Sequence, residues 1–134
     1  MKETRIIALM IALTGIRTVL ILGGILPPFF VNSSVNTLFL LANTAIIGYT
    51  GWIFSRLSFK EAAIKGGIVT LVSFITVCIG LFIGIIMHKP VLGVSYASQL
   101  DLLLNVLILG IINVMVGAVI AVIGAIIGRK FMKK

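Results

Sequence analysis

Arg17 is the residue whose chemistry most needs an explanation. It lies in the apolar run Ile6–Leu26, twelfth of 21 residues, and on a straight helix that puts it about 15 Å from either end. An ionised side chain at such depth costs about 2.5–3.5 kcal/mol on insertion scales, so it must face neighbouring helices, another protein or water. A guanidinium carries only donors, which suits an anion or a group of carbonyl oxygens. Three further polar residues share these apolar surroundings. Asn43 sits at a matching depth in the second apolar run, Asn105 is shallower in the fourth, and Asp101 lies at the rim of that run. Arg17, Asn43, Asn105 and Asp101 form the candidate polar site within the membrane. In the functional reading Arg17 is an anion site or gating partner, with the asparagines as neutral donors. In the structural reading Arg17 is tied to backbone carbonyls, to Asn43 or to a subunit of another protein. Asp101 also has a helix-capping explanation, from the start signal Ser98-Gln99-Leu100-Asp101.

Catalysis has little to build on. His88 is the only histidine and Cys78 the only cysteine, so no zinc-type ligand spacing exists and no internal disulfide can form. There is no carboxylate pair, no Ser/His/Asp set and no glycine-rich phosphate loop. These residues point to a non-enzymatic protein with no cofactor and no metal. Cys78 reads as a small packing residue and His88 as a solvated loop residue. Asn32-Ser33-Ser34 matches a glycosylation sequon, but it hugs the membrane in a short loop and reads as a chance match.

The elements that must position these residues follow from composition. Hydrophobic residues make up 60% of the 134 and charged residues 10%, with mean hydropathy +1.30. That leaves too few charges to cover a water-facing surface, and excludes a soluble domain or a disordered chain. Four apolar runs, Ile6–Leu26, Val35–Phe54, Gly67–Met87 and Leu102–Ile127, are each long enough for a hydrocarbon core of about 30 Å. The sequence therefore predicts an all-α, four-transmembrane-helix bundle in a single domain, 1–134, with helices over 6–26, 35–54, 58–87 and 99–128. Pro27-Pro28 is expected to end the first helix and His88-Lys89-Pro90 the third. Ser58-Phe59-Lys60-Glu61 is a capping-box pattern that starts the third helix in water, with Glu61 and Lys65 as an i,i+4 pair. The first run exceeds a signal peptide's h-region and has no small-x-small site, so it reads as a retained helix.

Charge placement gives orientation. With the N-terminus inside, the inner side holds Lys2, Arg5, Arg56, Lys60, Lys65, Arg129, Lys130, Lys133 and Lys134, and the outer side only Lys89. Nine against one puts both termini in the cytoplasm of a multi-pass protein of the cell membrane. Basic residues interleaved with spans are not a nucleic-acid footprint, so no nucleic-acid partner is expected. Trp52 falls near the inner boundary, Phe29 and Phe30 near the outer one, and Tyr96 in the outer loop.

Small residues recur along the runs. Gly66, Ser73 and Gly80 repeat every seven residues, with Thr70 and Gly84 beside them. Gly110, Gly117 and Gly124 do the same, joined by Asn113, Ala121 and Gly128, and the second run has Thr37, Thr44 and Gly51. Ala8, Ala12 and Gly15 form a weaker set in the first. Such stripes let helix backbones approach closely in lipid, where no hydrophobic drive exists between helices. The leading expectation is a small non-enzymatic membrane protein acting through helix–helix association, as an accessory subunit or a homo-oligomer. Its partners would be the lipid bilayer and other membrane protein subunits or itself. The alternative is an oligomeric channel or transporter for a small anion, centred on Arg17. Small multidrug exporters have a similar size but place an acid in the first helix, where this chain has Arg17. Asn36-Thr37-Leu38, Asn43 and Gly48 match only part of the fluoride-channel pattern, and no family is assigned.

Overall fold

The computed structural model describes residues 2–93 and 98–132. Tyr96, Lys133 and Lys134 lie outside the described residues. Four helices make up the fold: α1 (Lys2–Leu22), α2 (Ser34–Ile53), α3 (Phe59–Ile86) and α4 (Gln99–Met132). Three of them, Lys2–Leu22, Phe59–Ile86 and Gln99–Phe131, are long and apolar enough to cross a membrane. α2 is not among these; its 20 residues include Asn36, Asn43 and three threonines. The rest of the surface matches a lipid-facing chain, with large side chains such as Leu107, Ile111, Met115 and Val119 exposed along α4. In water that would be an aggregation surface.

The helix ends have local causes. α1 stops at Leu22, four residues before the expected Leu26, because Gly24 takes φ +74°. Gly24 N–H donates to Ile21 O and Ile25 N–H to Leu20 O, a glycine-centred Schellman cap. The stop is therefore set by Gly24 and not by Pro27-Pro28. α3 ends with the same pattern around His88, whose φ is +53°, as Lys89 N–H reaches Gly84 O. At its start the Ser58/Glu61 capping box is complete. Glu61 is held there by Ser58 N–H and Oγ, at 2.9 and 3.0 Å, and Lys65 pairs instead with Glu3 of α1 at 2.7 Å. The expected Glu61–Lys65 pair is replaced because the cap already occupies the Glu61 carboxylate.

α4 packs most extensively on α3 and α2, α1 packs on α3 and α2, and α1 and α4 make no close approach among the described residues. The start of α1, the end of α4 and the 54–58 connection meet at one end of the bundle. Arg129 there donates to Ser55 O at 2.7 Å and to Leu57 O. This basic end is filled by Ile6, Met10, Ile47, Val69 and Ala121. Glycine contacts close it further. A Cβ on Gly51 would overlap the Ala121 backbone, one on Gly124 the Gly48 carbonyl, one on Gly66 the Ala121 methyl, and one on Gly117 the Thr70 side chain.

The stripes do not each serve one neighbour. Gly66 and Thr70 of α3 face α4, whereas Ser73 bonds Thr14 and Gly80 meets Thr18, both on α1. Gly84 abuts Val91, and Gly110 abuts the Phe74 ring. The weaker α1 set faces outward instead of packing: Ala8 and Ala12 are exposed, and a Cβ on Gly15 would meet nothing within 4 Å.

Candidate functional site

The site lies toward the opposite end from the basic residues, beyond the close α2–α4 contacts at Gly48 and Gly51. Because α1 ends at Leu22, Arg17 sits five residues, about 7.5 Å, below the helix end. That is shallower than the mid-span position expected. The segment after α1 folds back over it, and Arg17 is 7% exposed. Its Nη2 donates to Asn36 Oδ1 at 2.9 Å and to Phe29 O at 3.4 Å. The Phe29 ring covers the guanidinium at 4.1 Å, with Phe39 at 5.4 Å, contacts that stabilise a desolvated cation by about 0.5–2 kcal/mol.

Asn36 is the residue that sequence reasoning missed. It is buried at the third position of α2, behind the N-cap Ser33, whose Oγ accepts its N–H at 3.1 Å. Its Nδ2 donates to Pro28 O at 2.8 Å and Val31 O at 2.7 Å. One amide thus braces the connection with its nitrogen and receives Arg17 with its oxygen. The available signal is the spacing of a cap: Ser33 as N-cap is followed three residues later by Asn36, a side chain able to reach back over the loop. The connection is also pinned across the bundle, as Phe29 N–H donates to Val91 O and Phe30 N–H to Leu92 O, at 2.9 and 3.0 Å.

Beneath this roof is a cavity of ≈ 530 Å³ lined from all four helices. Arg17, Asn36 and Asn43 line it, together with Thr14, Ser73, Phe74, Leu109 and Asn113. Most of its polar groups are already satisfied. Thr14 and Ser73 hydroxyls bond each other at 2.9 Å, and Thr44 and Thr70 donate to carbonyls of their own helices. Two atoms there remain buried without a partner among the described residues: Arg17 Nε and Asn43 Oδ1. No acid balances Arg17. The chain has 3 acids; Glu3 pairs with Lys65, Glu61 caps α3 and Asp101 engages Ser98.

Of the four residues singled out from sequence, the structure brings Arg17 and Asn43 to one cavity, with Asn36 as the direct partner of Arg17. Asp101 and Asn105 stand apart. Ser98 Oγ accepts Asp101 N–H at 3.1 Å, and exposed Asn105 donates to Asp101 O at 2.7 Å, an arrangement that caps α4. Among the described residues no cluster of three His, Cys, Asp or Glu is placed to hold a metal ion. Cys78 lines the cavity as a half-buried thiol and His88 is exposed. Comparison with protein-family models, curated proteins and solved structures finds no match.

Proposed function

We propose that this chain is a non-enzymatic, four-span membrane protein, with both termini cytoplasmic, that binds an anionic group in the Arg17 cavity. The observation that carries the reading is the uncompensated charge. A buried guanidinium with an unpartnered Nε lines a cavity that contains no acid. A buried donor left unsatisfied costs about 1–3 kcal/mol, more when charged, and a ligand anion removes that cost. All four helices contribute to the cavity, which supports α2 as a fourth crossing whose asparagines face inward. The closed glycine contacts at the basic end favour a blind binding pocket over a conduit.

The test uses the full chain purified in uncharged micelles. Phosphate-bearing compounds should raise the melting temperature of the wild type and not that of Arg17→Gln, while liposomes carrying the protein release chloride no faster than empty ones. Stabilisation by every anion to the same extent in both proteins would remove Arg17 as the site. Chloride release that depends on Arg17 would replace the blind pocket with a channel.

A second reading, association with another membrane protein or a second copy, is favoured by the outward Ala8, Ala12 and Gly15 of α1. Small residues on a lipid-facing helix permit close approach of another helix. Cysteine at Ala12 should cross-link copies in native membranes if the chain self-associates, and stay monomeric if it does not.

A further inference from the structure

We infer that the occupant of the Arg17 cavity is an anionic amphiphile with one acyl chain, entering sideways from the bilayer and not from water. This rests on the anion-binding reading above and adds to it the ligand class and the route. Shape is the first observation. The lining on α2 runs from Asn36 to Ile47, eleven residues and about 16 Å along the helix. Polar demand is concentrated near one end, at Arg17, with Asn43 below it. Most of the remaining lining, including Met10, Ile47, Val106, Leu109 and Ile120, is apolar, and the hydroxyls of Thr14, Thr44, Thr70 and Ser73 among it are already bonded within the protein. A free inorganic anion would fill only the Arg17 corner, and would lose its hydration against apolar walls with a single cation in return. A chain attached to the anion fills the rest and gains roughly 25 cal/mol for each Å² of apolar surface it covers relative to water.

Access is the second observation. Toward water the cavity is roofed by Phe29, Phe30 and Val31, and that segment is bonded to Val91 and Leu92. Toward the basic end it is closed where Gly48, Gly51 and Gly66 meet α4. On the seam between α2 and α4 the lining residues are themselves exposed: Leu40 is 62% and Val116 49% accessible, and Asn113 is exposed as well. A groove whose walls are open on the lipid flank and shut at both ends admits a molecule already dissolved in the bilayer. The unpaired Asn43 oxygen then accepts a hydrogen bond from a hydroxyl on the ligand's head. The shared head chemistry is a phosphate or carboxylate beside a hydroxyl, which a lysophospholipid and a free glycerol phosphate both carry.

The experiment separates these sources on the full chain in uncharged maltoside micelles, by melting temperature and by native mass spectrometry. Oleoyl lysophosphatidate supplies head and chain, glycerol phosphate the head alone, and monooleoylglycerol the chain alone. Lysophosphatidate should bind about tenfold or more tightly than monooleoylglycerol, the scale of one charge-assisted hydrogen bond, and about tenfold or more tightly than glycerol phosphate through the apolar surface its chain covers. Leu109→Trp narrows the apolar part without touching Arg17, and should weaken lysophosphatidate while leaving glycerol phosphate unchanged. Arg17→Gln should reduce lysophosphatidate to the level of monooleoylglycerol. If glycerol phosphate binds as tightly as lysophosphatidate, the amphiphile inference falls and anion binding stands. If monooleoylglycerol equals lysophosphatidate, or if nothing binds, both fall. The Leu109→Trp arm keeps the test decisive should Arg17→Gln fail to fold.

Discussion

Asn36 carries three connections at once: it receives Arg17 Nη2, and it donates to the carbonyls of Pro28 and Val31. Replacing it with Leu leaves a buried cation short of its strongest acceptor and removes the side-chain donor of Val31 O, while Pro28 O keeps Val31 N–H at 3.1 Å. Hydrogen bonds to charged groups contribute about 1.5–3 kcal/mol each, so Asn36→Leu should cost about 3 kcal/mol. Asn43→Leu should cost less than about 1 kcal/mol, because it removes an acceptor that has no partner among the described residues. Thermal unfolding of the two variants by circular dichroism in ligand-free micelles checks the difference, and equal losses would show that Arg17 is not anchored through Asn36. Arg17 itself was legible from residue type, since an arginine in an apolar run has few innocent explanations. Its partner was not. Depth matching on a straight helix to Leu26 sets Arg17 level with Asn43. With the true end at Leu22, Arg17 lies five residues from the helix end, near the first turn of α2 where Asn36 sits.

Glycine acts differently at different points along these helices, and only the neighbour decides how. At Gly124 a Cβ would enter the Gly48 carbonyl, and a backbone atom cannot rotate away. At Gly15 a Cβ would meet nothing within 4 Å. Gly124→Ala should therefore destabilise by about 1–3 kcal/mol, the usual range for overpacking, whereas Gly15→Ala should be neutral or gain up to about 1 kcal/mol from helix propensity. Melting both variants beside the wild type settles the point; a Gly124→Ala protein as stable as the wild type would mean that α2 and α4 do not approach at this position. The period of seven was readable in the sequence because it depends only on spacing. Which neighbour each small residue meets was not, because one helix face spans two partners once the helices diverge. Thus Gly66 meets α4 while Gly80, further along the same stripe, meets Thr18 of α1. The outward Ala8–Ala12–Gly15 set has the same spacing signal with no packing behind it.

Charge and packing divide the whole molecule along one axis. The basic end holds the Lys65–Glu3 pair, the Arg129 contacts to Ser55 and Leu57, and the glycine-closed core. The opposite end holds the roofed cavity and, among the described basic residues, Lys89 alone outside Arg17. Composition and charge spacing disclosed this polarity, whereas the cavity is lined from all four helices, a tertiary property with no local sequence signal. The polarity makes a prediction for the four-span reading. Short loops with Lys and Arg stay on the cytoplasmic side, because moving them across is costly. Ser33 lies in the connection at the cavity end and Ser58 in the connection at the basic end. In a Cys78→Ala background, so that the native thiol does not react, a cysteine at Ser33 should be modified in intact cells by a membrane-impermeant maleimide. A cysteine at Ser58 should react only after the membrane is opened. Labelling of both from outside would mean that α2 does not cross, since two consecutive connections would then share a side. Labelling of Ser58 alone would invert the molecule and place the Arg17 cavity in the cytoplasmic leaflet.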